Sequence, residues 1–292
     1  MAGPSKSFFA VLLLALAAPG APVTAATADD RALASLQNPD PDQRVEALRS
    51  LMTSTDPRIP NAILPLLRDE GNSIRRLAAR AVGSRWREIP PAKRDEFLAA
   101  LQRNAKSEFD DERNMVQRGL GLLRRDYRGS MFARSPDKRW VVYERFNLPC
   151  IIDTSDESEE LLGWSPERNG YFASSWGNGE TAPCVHWHPS SDMVALDMLI
   201  NRKANAIGIW GPGQPLRIIS PDDVVASVGP VEGEVMRSGG IYFDTPGWDG
   251  RNLHINANFS TMKDENITDW NATLSWDPET DRLTVLAKSR VP

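Results

Sequence analysis

Two cysteines and three histidines among 292 residues leave little material for thiol or imidazole chemistry. No histidine precedes His186, which excludes histidine-ligated metal chemistry from the whole first half. The phosphate-cradling pattern G-x-x-x-x-G-K-[ST] is missing, as is the nucleophile pattern G-x-S-x-G, and no Ser/His/Asp set stands in a recognisable local context. Gly211-Pro212-Gly213 lacks the third glycine of a dinucleotide loop and reads as a turn between strands. Charge of one sign is scarce too. The formal net charge is −5, and the stretch Asp29–Arg128 holds 19 basic residues against 16 acidic ones. That excess is too dilute for the dense basic face that grips nucleic acid, so no nucleic-acid partner is expected.

Beyond the N-terminus there is no long hydrophobic run. At the N-terminus, Lys6, the apolar stretch Phe8–Ala18 and the small residues Val23-Thr24-Ala25 have the parts of a secretory signal over residues 1–28. The apolar stretch is about half the roughly 20 residues that a membrane span needs. The reading is therefore an exported protein, periplasmic or extracellular, with a mature start near Ala26 and no transmembrane segment after cleavage. The first cysteine is Cys150, so lipid attachment at a signal-peptide cysteine is excluded.

Asp56–Trp86 reads as two short amphipathic helices joined by a turn at Asp69-Glu70-Gly71-Asn72. The first carries Ile59, Ala62, Ile63, Leu66 and Leu67 at helical spacing. The second places Ile74, Leu77, Ala78, Ala81 and Val82 on one face, with Arg75, Arg76, Arg80 and Arg85 largely off it. Neither can bury its stripe alone. Arg75 is echoed by Arg44 upstream and Arg113 downstream, 31 and 38 residues away, a period expected of stacked helix pairs. These residues resemble the HEAT-repeat family in its short bacterial form. The resemblance spans Arg31–Tyr127 and is closest over Asp56–Trp86. It implies a right-handed α-α superhelix of about three repeats over residues 29–128, serving as a scaffold.

From Gly129 the period turns from helical to alternating, and the charge changes sign, with 14 basic against 23 acidic residues in Gly129–Pro292. A proline turn recurs before short strands: Ser135-Pro136-Asp137 before Trp140–Tyr143, Trp164-Ser165-Pro166 before Tyr171-Phe172, Trp187-His188-Pro189 before Val194–Leu196, and Trp276-Asp277-Pro278 before Leu283–Val285. Leu253, Ile255, Ala257 and Phe259 share one face, as do Trp270, Ala272, Leu274 and Trp276, the pattern of an antiparallel sheet with one dry side. The S-P-D-x-x-x-V-V-Y pattern resembles a blade of the WD40/TolB-like β-propeller group. That resemblance implies an antiparallel, propeller-like domain over residues 129–292. Its length barely reaches the four blades of ~40–45 residues that a closed ring needs, so an incomplete or flattened form is expected.

Candidate chemistry is sparse. On a strand, Cys184, His186 and His188 project to one side, and with His254 they could hold a metal, although Pro189 ends the strand at once. Cys150 and Cys184 instead suit a disulfide in an exported chain, with two buried thiols as the other option. Trp176 and Trp248, the latter beside Asp249, sit in glycine-containing loops and suit stacking on sugar rings. Asp197 and Asp244 are further acids for that setting. The acidic run Asp153, Asp156, Glu157, Glu159 and Glu160 reads as a solvated turn. Arg75, Arg76, Arg80, Arg113 and Arg118 would face a protein partner or the acidic β half. The leading expectation is a non-enzymatic exported scaffold or binding protein without a cofactor. The alternative is a glycan-binding or glycan-active cell-envelope module.

Overall fold

The computed structural model describes residues 26–145, 148–162, 171–172, 185–201, 204–236 and 241–291. Helices come first: α1 (Ala28–Ser35), α2 (Pro41–Leu51), α3 (Ile59–Ile63), α4 (Asn72–Ser84), α5 (Arg94–Asn104) and α6 (Asp110–Arg124). Thr27 and Asp30 close a capping box at the start of α1, and Asp40 caps α2 just before Pro41, whose missing N–H costs nothing at a first turn. The expected helix over Ile59–Leu67 is broken. Pro65 cannot donate to the ladder, so α3 stops and a 3-10 turn follows over Pro65–Arg68.

Helix α4 lies between α2 and α6 and is buried on more than the one expected face. Ala79, Gly83 and Ser84 join Ile74, Leu77, Ala78, Ala81 and Val82 in the interior. Small residues make this possible: a Cβ on Gly119 of α6 would lie 3.1 Å from Leu101 and 3.7 Å from the Ala79 carbonyl.

Strands β1 (Ala133–Arg134), β2 (Trp140–Arg145), β3 (Leu148–Asp153) and β4 (Glu159–Leu161) form an antiparallel four-stranded sheet in sequence order. The second sheet contains β5 (Tyr171–Phe172), β6 (Val185–Trp187), β7 (Val194–Asn201), β8 (Ala204–Trp210), β9 (Arg217–Ile219), β10 (Glu234–Val235), β11 (Ile241–Asp249), β12 (Asn252–Lys263), β13 (Asn266–Asp277) and β14 (Arg282–Arg290). Its main path runs β14-β13-β12-β11-β8-β7-β5; every pairing is antiparallel except a short parallel contact of β11 with β8. One further helix, α7 (Pro221–Val228), packs against β14 and β8. The described residues are thus mixed α and β, helices before strands, and among them no closed barrel or propeller ring is found.

Two of the recurring proline turns share one geometry, and the turn at Trp164-Ser165-Pro166 lies outside the described residues. At Ser135-Pro136, Ser135 N–H bonds the Trp140 carbonyl and Lys138 N–H bonds the Ser135 carbonyl; at His188-Pro189, His188 pairs with Met193 and Ser191 with His188 at the same offsets. Lys138 and Ser191 both take positive φ, 67° and 66°, to close their turns.

Strands β7 and β8 are apolar on both sides because both sides are covered. Val194, Leu196, Met198 and Trp210 belong to a core shared with the helices and the first sheet, including Leu48, Val82, Trp86, Val116, Tyr143 and Ile151. Ala195, Ile207 and Ile209 belong to a second core with Val224, Ile255, Phe259, Leu274 and Trp276. Among the described residues no helix is long and apolar enough to cross a membrane.

Candidate functional site

The arginines singled out in the helical half are taken up by carboxylates and carbonyls of the chain itself. The three marker arginines act alike. Arg44 donates to the carbonyls of Asn38 and Pro39 at 2.8 and 2.9 Å, Arg75 to those of Asp69 and Glu70 at 3.0 and 2.8 Å, and Arg113 to that of Ser107 at 2.7 Å. Each fork ties its own helix to the turn that enters it. The remaining guanidinium atoms meet acids: Arg44 with Asp69, Arg75 with Glu112, and Arg113 with Asp110. Arg76 pairs with Asp111 on the surface. Arg85 is fully buried, donating to the Leu51 carbonyl at the end of α2 and pairing with Glu88 at 2.7 Å.

Arg80 of α4 and Arg118 of α6 converge on Glu144 of β2, with Arg118 3.1 Å away. Arg118 is 0% exposed and lies over Gly83, where a Cβ would stand 3.1 Å from its Nε. Burial pushes Glu144 upward, but the Arg118 and Arg80 charges and their hydrogen bonds outweigh it and hold the carboxyl below its usual range. Burial also pulls the Arg118 guanidinium down from its ordinary value. A group that titrates so far above neutrality remains a cation, so the Glu144 direction governs the pair.

Beside this pair Glu159 of β4 collects a second set of donors. Its Oε1 accepts from the Tyr143 hydroxyl and, at 3.0 Å, from Cys150 Sγ; its Oε2 meets Arg87 and, at 3.2 Å, Arg145. Trp86 Nε1 donates to the Tyr143 oxygen at 3.2 Å. Burial raises Glu159, yet bonds from Cys150 and Tyr143 and the two arginine charges hold it below its usual range. Burial first, then the neighbouring acid groups, push the Tyr143 phenol and the Cys150 thiol well above theirs. Both therefore stay protonated donors, the opposite of an activated nucleophile. The expected solvated acidic turn is corrected in part: Asp156 and Glu160 are exposed, but Asp153 is buried, the Glu159 side chain is 7% exposed, and Arg139 holds Asp153 down at about 2. The sequence run disguised Asp153 and Glu159 because their partners, Arg139, Arg145 and Arg87, come from elsewhere in the chain.

Cys150 carries a free thiol turned to Glu159, and its expected partner Cys184 lies outside the described residues. So does Trp176. The histidines do not share a ligand point: His186 Nε2 is 3.1 Å from Asp197, His188 Nε2 is 2.9 Å from the Gly250 carbonyl, and His254 Nε2 is 3.8 Å from Asp249. Among the described residues no group of three His, Cys, Asp or Glu could hold a metal ion. Trp248, expected in a loop and free to stack on a sugar, instead lies on β11 opposite Leu253 and packs against the second core. Its Nε1 donates to the His186 carbonyl at 2.8 Å, and its ring stands edge-on to His188, 4.9 Å between centroids. Thr245, which sequence reasoning passed over, donates to the other oxygen of Asp197. This half-buried ring is held on two sides by protein.

The outer face of β11–β13 is different in kind. Cross-strand pairing lines up Tyr242, Asn258 and Asn271 in one row and Asp244, Asn256 and Thr273 in the next. Tyr242, Met262 and Ile267 are exposed, the last to 60%. Asp244 and Asp269 give these rows an acidic character. No family model matches the chain, and no curated protein matches it.

Proposed function

We propose that this chain is an exported, non-enzymatic scaffold or binding protein that presents its β surface to a partner protein. The helical half is read as a short HEAT-like superhelix and the β half as an open relative of the propeller blade. The observation that carries the proposal is the contrast between the self-paired cations of the helices and the outer face of β11–β13. Arg75, Arg76, Arg80, Arg113 and Arg118 all meet carboxylates of their own chain. The outer face instead offers Tyr242, Met262 and Ile267 among uncharged amides and two acids, a surface suited to a partner with basic and hydrogen-bonding side chains. The similar use of Arg44, Arg75 and Arg113, each tying its helix to the turn before it, supports the repeat reading.

Immobilised mature protein should retain a partner from an envelope extract, and Asn258→Arg should abolish retention while Arg76→Gln leaves it intact. A monodisperse monomer that retains nothing, or equal retention by both variants, overturns the proposal. The exposed row of Tyr242, Asn258 and Asn271 favours a glycan as the second reading. Saturable quenching of tryptophan fluorescence by cell-wall fragments, lost in Tyr242→Ala, would select it.

A further inference from the structure

Where the helices give way to the first sheet, a cleft of about 640 Å³ is lined by Arg124, Arg125, Asp126, Tyr127, Arg128, Arg134, Thr154 and Glu157. Four guanidinium groups against two carboxylates leave it with an excess of positive charge in a chain that is acidic overall. The two acids are already held: Glu157 by Arg125 at 2.6 Å and Asp126 by Arg128 at 2.7 Å. Among the described residues Arg124 donates to the Gln102 carboxamide at 2.6 Å and makes no ion pair, its charge acting on Asp126 from farther off, and Arg134 makes no ion pair. Two donors at the cleft are buried without a hydrogen-bond partner among the described residues, the Tyr127 hydroxyl and Arg134 Nε. Tyr127 itself is 8% exposed, and burial, with Glu157 close by, pushes its phenol up so that it stays a donor. Buried donors are almost always satisfied, and an orphan costs the desolvation of its group.

The backbone adds to this. The α6 terminus closes with Arg125 N–H bonded to the Leu122 carbonyl and Asp126 N–H to the Gly121 carbonyl. That closure puts Arg125 at φ 57°, where glycine is usual. It satisfies two of the terminal carbonyls, and the cleft's arginines must outweigh the negative end of the helix dipole that remains.

We infer that this cleft binds a phosphate group, free or as a phosphomonoester, between Arg124, Arg134 and the Tyr127 hydroxyl. Guanidinium forks match tetrahedral oxyanions, the two arginines without ion pairs offset much of a dianion's charge, and the volume suits a small phosphorylated molecule. The site is separate from the β11–β13 surface and stands or falls without it.

The test is calorimetric titration of the full mature chain with inorganic phosphate and, in parallel, with glycerol phosphate, at fixed ionic strength and with acetate as control. One site is expected, weakened at least tenfold by Arg134→Gln and unchanged by Arg76→Gln on the exposed side of α4. Tyr127→Phe should weaken binding several-fold yet leave the ligand-free melting temperature equal or higher, because it removes an unpartnered hydroxyl. If Arg134→Gln fails to fold by circular dichroism, the Tyr127→Phe result decides alone. Tighter binding of the ester assigns the site to a phosphorylated metabolite, and equal binding assigns it to the phosphate group itself. No saturable binding beyond the acetate control, or binding unaltered by Tyr127→Phe, overturns the inference.

Discussion

Glu144 is the residue on which the junction of helix and sheet turns. It faces two arginines, one of them without solvent contact, so neutralising it strands a buried cation. Glu144→Gln should lower stability by about 3–5 kcal/mol, read as a shift in the urea midpoint at unchanged slope. The acid response follows from the same group and from Glu159. Both carboxyls sit below their unfolded value of about 4.3, so their contribution is complete above that pH and drains away as pH falls through the folded pKa. A titration of stability from pH 7 to pH 3 should therefore show a steep loss at the acid end, flattened in Glu144→Gln. Cys150 makes a third expectation at this scale. Buried, protonated and bonded to Glu159, it should resist iodoacetamide in the native protein and react once urea exposes it. Native alkylation at the unfolded rate would refute that placement.

At the scale of elements, neighbouring arginines on α4 separate structural pairing from surface decoration. Arg75 fastens the turn before α4 and covers Glu112, which is 1% exposed, whereas Arg76 and Asp111 are both well exposed. Arg75→Leu should cost about 3 kcal/mol by leaving a buried acid unpaired, and Arg76→Leu under about 1 kcal/mol, both measured by denaturant unfolding. The 31- and 38-residue spacing made these arginines visible in the sequence, but not what they hold, because backbone carbonyls leave no trace in residue identity. The strands were legible where one side is wet, as in Leu253–Phe259 and Trp270–Trp276. The fate of Ala79, Gly83 and Arg85 was not. Helical periodicity describes a single buried face, and α4 is covered by α2, α6 and the first sheet together. Glu159 and Arg118 were unreadable for a related reason: each is defined by partners from another element, Tyr143 and Arg145 for one and Glu144 for the other.

For the whole molecule the question is where independent folding units begin. Composition and period change together near Tyr127–Arg134, which suggests that a chain ending at Arg128 folds alone. The packing argues otherwise. One core runs from Leu36 through Val82, Trp86 and Val116 into Tyr143, Cys150 and Ile151, and on to Leu196 and Trp210. Ionic bridges cross the same junction, among them Arg118 and Arg80 to Glu144, Arg87 to Glu159 and Arg125 to Glu157. Removing everything after Arg128 would expose the sheet-facing sides of α4 and α6 and leave Arg118 without its acid. Large apolar side chains lose about 1.5–3 kcal/mol each on exposure, so a handful of them exceeds the total stability of about 5–15 kcal/mol that a domain commands. Residues 26–128 alone should therefore show helical circular dichroism without a cooperative melt, whereas residues 26–162, which retain β1–β4, should regain part of the transition. The second core, with α7 and β11–β14, shares no buried residue with the first. Hydrogen exchange on the full chain should accordingly resolve two protected units whose border falls between the two faces of β7 and β8, and not at the end of α6. A sharp, independent transition of residues 26–128 would place the border at α6 after all.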